Sequence, residues 1–404
     1  MPLTDPHPER AALWTLDPDV TFLNHGSFGA CPRAVIAHQR ALQEELEREP
    51  VLFLARKLEA RIDAARERAA RLLGAKPEDL VFVRNATEGV NAVLRSLELC
   101  SGDELLTTDH AYNACKNALH YVADRVGAKV VVAKIPFPID SKETVVERVL
   151  SAVTDKTRLA LIDHVTSPTG IVLPVPEIVR ALRERGVETL VDGAHAPGML
   201  ELDLDAIGAA FYTGNAHKWL CAPKGAAILH CRRDLQSSLR PVVISHGAND
   251  PRAHRSRFWL EFDWCGTFDP TAVLTVPFAI DWMEKLAPGG LREVRTQNHL
   301  LALEARQILC DALEVRAPAP DSMLGSLATV CLPPAREPGV KAGALPFDPL
   351  QEALFDRFAI EVPVFTFGPE GAPKLRCVRV AAQWYNHRAQ YELLARSLRS
   401  LLAE

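Results

Sequence analysis

The sequence predicts an α/β fold with a large domain built on a mostly parallel seven-stranded sheet and a smaller C-terminal α+β domain. Seven short runs between residues 80 and 231 are rich in strand-forming residues, and amphipathic helical stretches separate the first five. The runs are apolar almost throughout, which is typical of parallel strands covered on both faces. A Pro/Gly break, "APGG" at residues 287–290, separates this region from a further set of strands and helices.

The elements follow one another in a consistent order. Two charged amphipathic helices come first, "PRAVIAHQRALQEELERE" and "LARKLEARIDAARERAARLLG", and the second is predicted to end at the C-cap residue Gly74. The seven strands are "LVFVRNA", "DELLTTD", "AKVVVAKI", "TRLALIDHV", "VETLVDGA", "AAFYTGN" and "GAAILHC". A helix, "TAVLTVPFAIDWMEKL", leads to three later strands, "MLGSLATVCLP", "FAIEVPVF" and "KLRCVRVAA", and to a terminal helix. We predict an N-terminal arm at 1–25, a large domain at 26–287 and a small domain at 288–404.

Composition excludes several classes of protein. The chain of 404 residues is 48% hydrophobic and 24% charged, as in ordinary soluble globular proteins. Its net charge of −5 and the absence of a basic tail argue against a nucleic-acid partner. No apolar run approaches the roughly 20 residues that span a bilayer, and the start lacks a signal-peptide pattern, so we predict a cytoplasmic protein without a membrane partner. Nine scattered cysteines show no zinc-like spacing, which predicts reduced core residues and no metal site.

Polar residues follow five of the predicted strands at the point where each strand ends. In an open parallel sheet, ligands bind beyond the carboxyl ends of the strands, where helix N-termini offer unpaired N–H groups. In chain order these residues are Ala86, Thr87 and Glu88; Tyr112; Ser167; Asp192 and His195; and Asn215, His217 and Lys218. The sequence therefore predicts that five strand ends converge on one crevice.

Each of these residues also has an ordinary structural interpretation. Thr87 suits a helix N-cap, Asp192 a turn, and Lys218 the protein surface, where most lysines lie. Their combination favours a phosphate-bearing cofactor, which needs a hydroxyl at a helix N-terminus, an aromatic ring over its own ring, an anion at its ring nitrogen and an amine for covalent attachment. Thr87, Tyr112, Asp192 and Lys218 supply these four groups. Burial and nearby positive charge lower the pKa of a lysine and free its neutral amine, which is the chemistry of pyridoxal 5′-phosphate (PLP).

The sequence resembles the class V aminotransferase group of fold-type I PLP enzymes, and within it the isopenicillin N epimerase-like branch. The resemblance extends from "TFLNHGSFG" to "RVAAQWYN". It implies that Lys218 of "NAHK" carries the cofactor, with His217 beside it, and that Asn215 replaces the usual serine while still donating to the phosphate. It also implies that Asp192 keeps the pyridine nitrogen protonated and that His195 hydrogen-bonds the phenolic oxygen.

Further motifs extend the resemblance to the phosphate, the ring and the partner subunit. "NATEGVN" resembles the phosphate-binding turn, with Ala86, Thr87 and Glu88 at its N-terminal end, and "DHAYN" places Tyr112 where an aromatic ring stacks on the cofactor. "WCGTFDPT" resembles a segment whose threonine reaches the phosphate in the neighbouring subunit's site. Thr267 therefore implies a homodimer with shared active sites.

Another group of residues is implied in binding an amino acid substrate. Arg379 of "VRVAAQWYN" matches the arginine that binds the α-carboxylate, a task suited to its bidentate fork, although an arginine merely paired with an acid is the structural alternative. Asn24, His25 and Ser27 resemble a segment that folds back over the active site, and a role as turn formers is the structural alternative. Ser167 stands where many desulfurases have an asparagine near the carboxylate.

A basic loop offers a hypothesis about substrate choice. His246, Arg252, His254, Arg255 and Arg257 precede "FWLEFDW". If they surround the entrance, they would suit a substrate with a distal carboxylate. A loop of hydrated charges is the alternative interpretation.

The reaction itself is left open between several outcomes. A desulfurase would need a cysteine on a loop shortly before Arg379, but the only cysteine there is Cys377, which we interpret as a packing residue. "DHVTSPTGIVLPV" resembles the epimerase-like branch, so we predict epimerase or racemase chemistry, with Lys218 moving the α-proton and Tyr112 or His25 as a second acid. A C–S lyase and an aminotransferase are alternatives. A silent PLP-binding homodimer is the alternative that is not an enzyme.

Overall fold

The computed structural model describes residues 7–333, 347–368 and 374–404, so the predicted N-terminal arm begins outside the described residues. A π-helical stretch, Leu52–Lys57, precedes the fourth α-helix. The α-helices, numbered in chain order, are α1 Pro8–Ala11, α2 His25–Phe28, α3 Arg33–Arg48, α4 Leu58–Leu73, α5 Ala86–Ser96, α6 Asn113–Val126, α7 Lys142–Ser151, α8 Val175–Arg183, α9 Leu204–Ile207, α10 Arg257–Asp263, α11 Thr271–Leu274, α12 Val276–Lys285, α13 Gly290–Leu313, α14 Pro349–Phe358 and α15 Arg388–Ala403.

Twelve strands form three sheets in the described part of the chain. The strands are β1 Thr21–Phe22, β2 Leu80–Val83, β3 Glu104–Thr108, β4 Lys129–Ala133, β5 Thr157–Asp163, β6 Glu188–Asp192, β7 Phe211–Asn215, β8 Ala227–Cys231, β9 Leu327–Cys331, β10 Ile360–Glu361, β11 Val364–Phe367 and β12 Leu375–Ala381. The largest sheet has the order β2-β8-β7-β6-β5-β3-β4. Only β8 runs antiparallel to its neighbours, so the predicted mostly parallel seven-stranded sheet is confirmed.

Both faces of this sheet are covered, which explains why its strands read as apolar runs. On one face Leu106, Ile162 and Val191 join a core that includes residues of α4, α7, α8 and α12. On the other face the preceding residues along the same strands, among them Leu105 and Leu161, pack with α5 and α6. Two of these helices, α5 and α6, begin just beyond the carboxyl ends of β2 and β3, and this places their N-termini at that edge of the sheet.

The C-terminal strands form an antiparallel sheet of order β11-β12-β9. Val378 and Val380 of β12 face a core built with α13 and α15. Ala381 points to the opposite face, where it packs with Trp219 and Val165 from the region of the large sheet. Side chains alternate along a strand, so Arg379 shares the face of Ala381 and points toward the carboxyl edge of the large sheet.

Two predicted elements are divided by prolines. The predicted helix that begins at Thr271 is split into α11 and α12, and Pro277 occupies the first turn of α12, where its missing N–H costs nothing. The predicted strand "FAIEVPVF" is split into β10 and β11 around Pro363, with β10 paired to β1 and β11 to β12. Gly74 ends α4 with a left-handed φ of 60°, as predicted. In the ranges that the structure describes, no helix has both the length and the apolar character needed to cross a membrane.

Candidate active site

The five predicted strand ends meet at one cleft of about 360 Å³, a size that suits a small molecule. Most of the residues predicted to bind a cofactor or substrate line it: Ser27, Ala86, Thr87, Tyr112, Ser167, Asp192, His195, Asn215, His217 and Lys218. The lining also includes residues that the sequence analysis did not single out: Phe28, Arg84, Asn85, Asp163, Val165, Ala194, Lys224 and Gly225. The convergence that the sequence predicted is therefore present in the folded chain.

The N-terminus of α5 forms one end of the cleft. Asn85 caps the helix by accepting the Glu88 N–H at 2.9 Å, and the Asn215 side-chain oxygen accepts the Ala86 N–H at 2.8 Å. Among the described residues, the Thr87 N–H has no acceptor, and Thr87 is one of the residues that line the cleft. Free N–H and hydroxyl donors at a helix N-terminus suit an anion.

Glu88 and Asn85 differ from what the sequence analysis predicted for this turn. The Glu88 carboxylate accepts the Arg84 N–H at 2.7 Å, and Glu88 is absent from the residues that line the cleft. Asn85, which the sequence analysis did not single out, lines the cleft, whereas the predicted residue Glu88 does not. Its signal in the sequence was an asparagine directly before "ATEG", the usual chemistry of an N-cap.

Lys218 lies where the chain leaves β7, with its Nζ 3.1 Å from His195 Nε2. Gly29 passes against this segment with a left-handed φ of 70°, and a Cβ there would collide with the carbonyl oxygen of His217. Burial and the positive charge of Arg379 lower the pKa of Lys218 to about 8, although Asp192 acts in the opposite direction. The neutral amine is therefore a minor form at pH 7 and becomes the main form above about pH 8, far below the range of an ordinary lysine.

The depressed pKa predicts how the apoprotein reacts with an acylating reagent. Only the neutral amine is nucleophilic, so the modification rate of Lys218 should rise with pH through about 8 and then level off. The exposed lysine Lys156 provides the comparison within the same sample. Short pulses of acetic anhydride across a pH series, read by peptide mass spectrometry, measure both. A Lys218 rate that climbs in parallel with that of Lys156 would contradict the prediction.

Two aspartates lie side by side at the ends of β5 and β6. Asp163 and Asp192 are paired in register, and both are buried. Asp192 accepts the Cys115 thiol at 3.1 Å and the Ala194 N–H at 3.0 Å. Burial raises the pKa of both carboxyls, and the charge of Asp192 raises that of Asp163 further. The pair therefore favours one carboxylate, at Asp192, beside one protonated carboxyl.

Asp163 was not identified from the sequence. Its Oδ2 has no hydrogen-bond partner among the described residues although it is buried. The signal was present in "LALIDHV", where an aspartate ends an otherwise apolar strand, but only the register with Asp192 makes it part of the site.

Arg379 of β12 is not among the residues that line the cleft, but it bonds to two that are, and it is only 7% exposed. Its guanidinium donates to the Ser27 hydroxyl at 3.2 Å and to the Ser167 carbonyl. The Ser27 hydroxyl in turn donates to Asn24 Oδ1 at 2.6 Å. Among the described residues the guanidinium pairs with no carboxylate, and burial lowers the pKa of Arg379 to about 10. A buried guanidinium without an acidic partner is suited to receive an anion.

His25 and Thr267 lie outside the cleft lining. The His25 ring is buried, with Nδ1 2.9 Å from the Tyr385 hydroxyl and Nε2 donating to the Lys218 carbonyl at 3.0 Å. Burial lowers the pKa of His25 to about 4, so this geometry does not support its proposed role as a second acid. Thr267 is exposed between α10 and α11. Tyr112, which lines the cleft and is 45% exposed, is the remaining candidate for a second acid.

The basic loop does not surround the cleft entrance. Arg252 pairs with Asp250 at 2.9 Å and Glu59 at 2.8 Å, and Arg255 pairs with Asp63 at 2.8 Å. Arg255 also pairs with Asp263, and Arg257 with Glu261. These guanidiniums are already neutralised, so the structure does not support the hypothesis that they select a distal carboxylate.

Comparisons with known proteins agree with this geometry. A family model described as aminotransferase class-V matches residues 32–336. An isopenicillin N epimerase from Amycolatopsis lactamdurans is 37% identical and the match covers 96% of each chain. A probable chloroplastic L-cysteine desulfhydrase from Arabidopsis thaliana is 31% identical over 96% of this chain and 84% of that protein.

A solved structure shows the same fold at lower identity. It is a variant of the enzyme C-DES with glycine covalently linked to the PLP cofactor, and it matches with a TM-score of 0.75 at 20% identity. The match covers 94% of this chain and 96% of that one. The family predicted from the sequence motifs is thereby confirmed: the chain belongs to the aminotransferase class-V family of PLP-dependent enzymes.

Proposed function

We propose that this enzyme acts at the α-carbon of an amino acid or a derivative of one, by racemase or epimerase chemistry. One observation carries the proposal: the Lys218 amine, with its pKa lowered to about 8, lies in a cleft shared with buried Asp192 and close to the Arg379 guanidinium, which has no acidic partner among the described residues. The relative from Amycolatopsis, similar over nearly its whole length, favours epimerisation within this class.

The residues of the cleft fit PLP. The free N–H and hydroxyl of Thr87, with the Asn215 amide, would hold the phosphate, and Lys224 and Arg84 add positive charge to the same lining. Asp192 would hold the ring nitrogen, supported by the Cys115 thiol that already orients its carboxylate. Orphaned Asp163 Oδ2 lies beside it as a further polar atom. Together these donors and acceptors match the anionic and cationic ends of the cofactor.

When bound, PLP supplies an electron sink that stabilises negative charge at the substrate α-carbon. The chain's own residues would then do three things. Arg379 would bind the α-carboxylate, because its guanidinium is buried and has no acidic partner in the described part of the chain. The neutral Lys218 amine would take the α-proton at Nζ. Tyr112, on the cleft wall, would return a proton from its hydroxyl to give the opposite configuration.

A C–S lyase is the second candidate. The Arabidopsis relative, named as a probable cysteine desulfhydrase, favours it. Both reactions begin with the same proton transfer to Lys218, and they differ in whether a β-substituent then leaves. Persulfide chemistry of the desulfurase kind is disfavoured for Cys377, because that side chain is buried within β12. An aminotransferase would instead pass the proton to the cofactor.

We further propose a homodimer in which Thr267 of one subunit reaches the phosphate of the other. In support, Thr267 is exposed and lies outside its own cleft lining. Phe28, at the mouth of the cleft, is 65% exposed and would be covered by such a partner. Sedimentation of the PLP-loaded protein tests the stoichiometry. The cytoplasmic location stays a prediction from the sequence.

One experiment separates the candidate functions. The PLP-loaded enzyme is incubated in heavy water with a panel of L- and D-amino acids. The panel includes sulfur amino acids and peptides that end in a sulfur amino acid. Deuterium at the α-carbon together with inversion of configuration supports an epimerase or racemase, whereas release of ammonia and a 2-oxo acid from sulfur substrates supports the lyase. If no amino acid changes the visible absorbance of the bound cofactor, the proposal fails and the silent binding protein is favoured.

A further inference from the structure

Trp219 follows Lys218 directly in the chain and is 1% exposed. Its side chain does not line the cleft, but it reaches the back of a residue that does. The indole Nε1–H donates to His195 Nδ1 at 3.4 Å, and on the other side of the same ring His195 Nε2 lies 3.1 Å from Lys218 Nζ. Trp219, His195 and the Lys218 amine therefore form a short hydrogen-bonded chain.

The direction of each hydrogen bond in this chain follows from the first one. An indole nitrogen can only donate, so His195 Nδ1 must accept and carries no hydrogen. A neutral imidazole then has its hydrogen on Nε2, which points at Lys218 Nζ. An ammonium group has only hydrogens to offer and cannot accept from Nε2–H, whereas a neutral amine has a lone pair that can. The arrangement is satisfied only when Lys218 is uncharged.

We propose that Trp219 is a positioning residue for the reactive amine: its indole N–H selects the His195 tautomer with hydrogen on Nε2, and this tautomer favours the neutral form of Lys218. This inference rests on the proposed function, because the neutral form matters for a Lys218 amine that attaches the cofactor and takes a proton.

Packing fixes the indole in place. Trp219 belongs to a buried cluster with Val165, Met199, Leu327 and Ala381. The His25 ring packs against it with centroids 5.0 Å apart, while His25 Nε2 holds the Lys218 carbonyl. These contacts fix the position of the indole N–H in the absence of any ligand.

Other charged groups around the two side chains act in the same direction or are balanced. Burial lowers the pKa of His195 well below the usual value, and the charges of Lys218 and Arg379 lower it further, which keeps the ring neutral beside the neutral rings of His217 and His25. Lys218 faces Arg379, whose charge favours the neutral amine, and the Asp192 carboxylate, which favours the ammonium form; its other neighbours, Asp163 and Cys115, are protonated. Because the Asp192 carboxylate favours the charged amine, the tautomer of His195 should have a measurable effect on the Lys218 amine.

The tautomer can be read directly in the apoprotein. Long-range proton–nitrogen NMR spectra of protein labelled with ¹⁵N-histidine distinguish a ring with hydrogen on Nε2 from one with hydrogen on Nδ1, and a His195→Gln spectrum assigns the signals. We expect the Nε2–H pattern for His195 in the unmodified chain. The Nδ1–H pattern there would overturn the proposal without any tryptophan variant, and a failure of the proposed function would leave this result unaffected.

Trp219→Phe removes the donor while keeping an aromatic ring. His195 can then carry its hydrogen on Nδ1 and accept from a Lys218 ammonium, so the pH midpoint of Lys218 acetylation in the apoprotein should rise by roughly half to one unit, the worth of one hydrogen bond. Trp14→Phe is the matched control, because Trp14 is equally buried and donates its indole N–H to the Ala30 carbonyl at 3.2 Å. It should leave the midpoint unchanged.

A double-mutant comparison separates this role from simple packing. In a His195→Gln background, Trp219→Phe should no longer move the Lys218 midpoint, because the residue through which it acts is gone. An equal shift with and without His195, or an unchanged midpoint in folded Trp219→Phe protein, would contradict the proposal.

Discussion

Lys218→Ala is expected to lower kcat by at least about 10³-fold and to abolish covalent attachment of the cofactor. The amine is assigned two tasks that no neighbour can take over. His195, 3.1 Å away, is held neutral with a pKa well below its usual range and has no amine to offer. Borohydride reduction of the PLP-loaded protein, followed by peptide mass spectrometry, measures the attachment, and deuterium uptake at the substrate α-carbon measures the proton transfer.

Two controls make this result specific. Lys156→Ala removes an exposed lysine and should change neither readout. Lys218→Arg keeps a long side chain but has no amine that can attach the cofactor, so it should lose attachment as well. If Lys218→Ala protein kept both the covalent cofactor and α-proton exchange, the assignment of the reactive lysine would be wrong.

Arg379→Met is expected to lower kcat/KM by about 10²- to 10³-fold for amino acid substrates, which corresponds to about 3–4 kcal/mol. Arg379 is 7% exposed and its guanidinium has no acidic partner in the described residues, so a bound carboxylate would be its principal counter-ion. Arg379→Lys should recover only part of the loss, because a single ammonium cannot form the paired contacts of the guanidinium fork. Steady-state kinetics on the best substrate from the amino acid panel measure both variants.

A comparison of substrates with and without the carboxylate tests the role of Arg379 more sharply. An amine analogue that lacks the carboxylate should react slowly with the unmodified enzyme and at nearly the same rate with Arg379→Met. The exposed arginine Arg396 on α15 is the matched control, and Arg396→Met should leave kcat/KM unchanged. A similar loss for the acid and for the analogue lacking it would show that Arg379 supports the fold rather than the substrate.

The sequence by itself determined the fold class, the family and most of the cleft. Strands buried on both faces must be apolar almost throughout, and that requirement is visible in β2 to β8 without any knowledge of their order. Parallel strands also place their carboxyl ends at one edge, so polar residues such as Thr87, Asp192 and Lys218 could be assigned to one site from their position in the chain alone. The resemblance added Arg379, which lies far away in sequence.

The tertiary structure decided the relations between elements. Asp163 belongs to the site because β5 lies beside β6 in register. The basic loop does not belong to it, because Glu59, Asp63 and other carboxylates from distant elements neutralise its arginines. The His25 ring hydrogen-bonds the Lys218 carbonyl and does not line the cleft, and the Trp219 indole contacts His195. Hydrogen-bond direction and ion pairing depend on which side chains come into contact across the fold, and local sequence patterns do not predict those contacts.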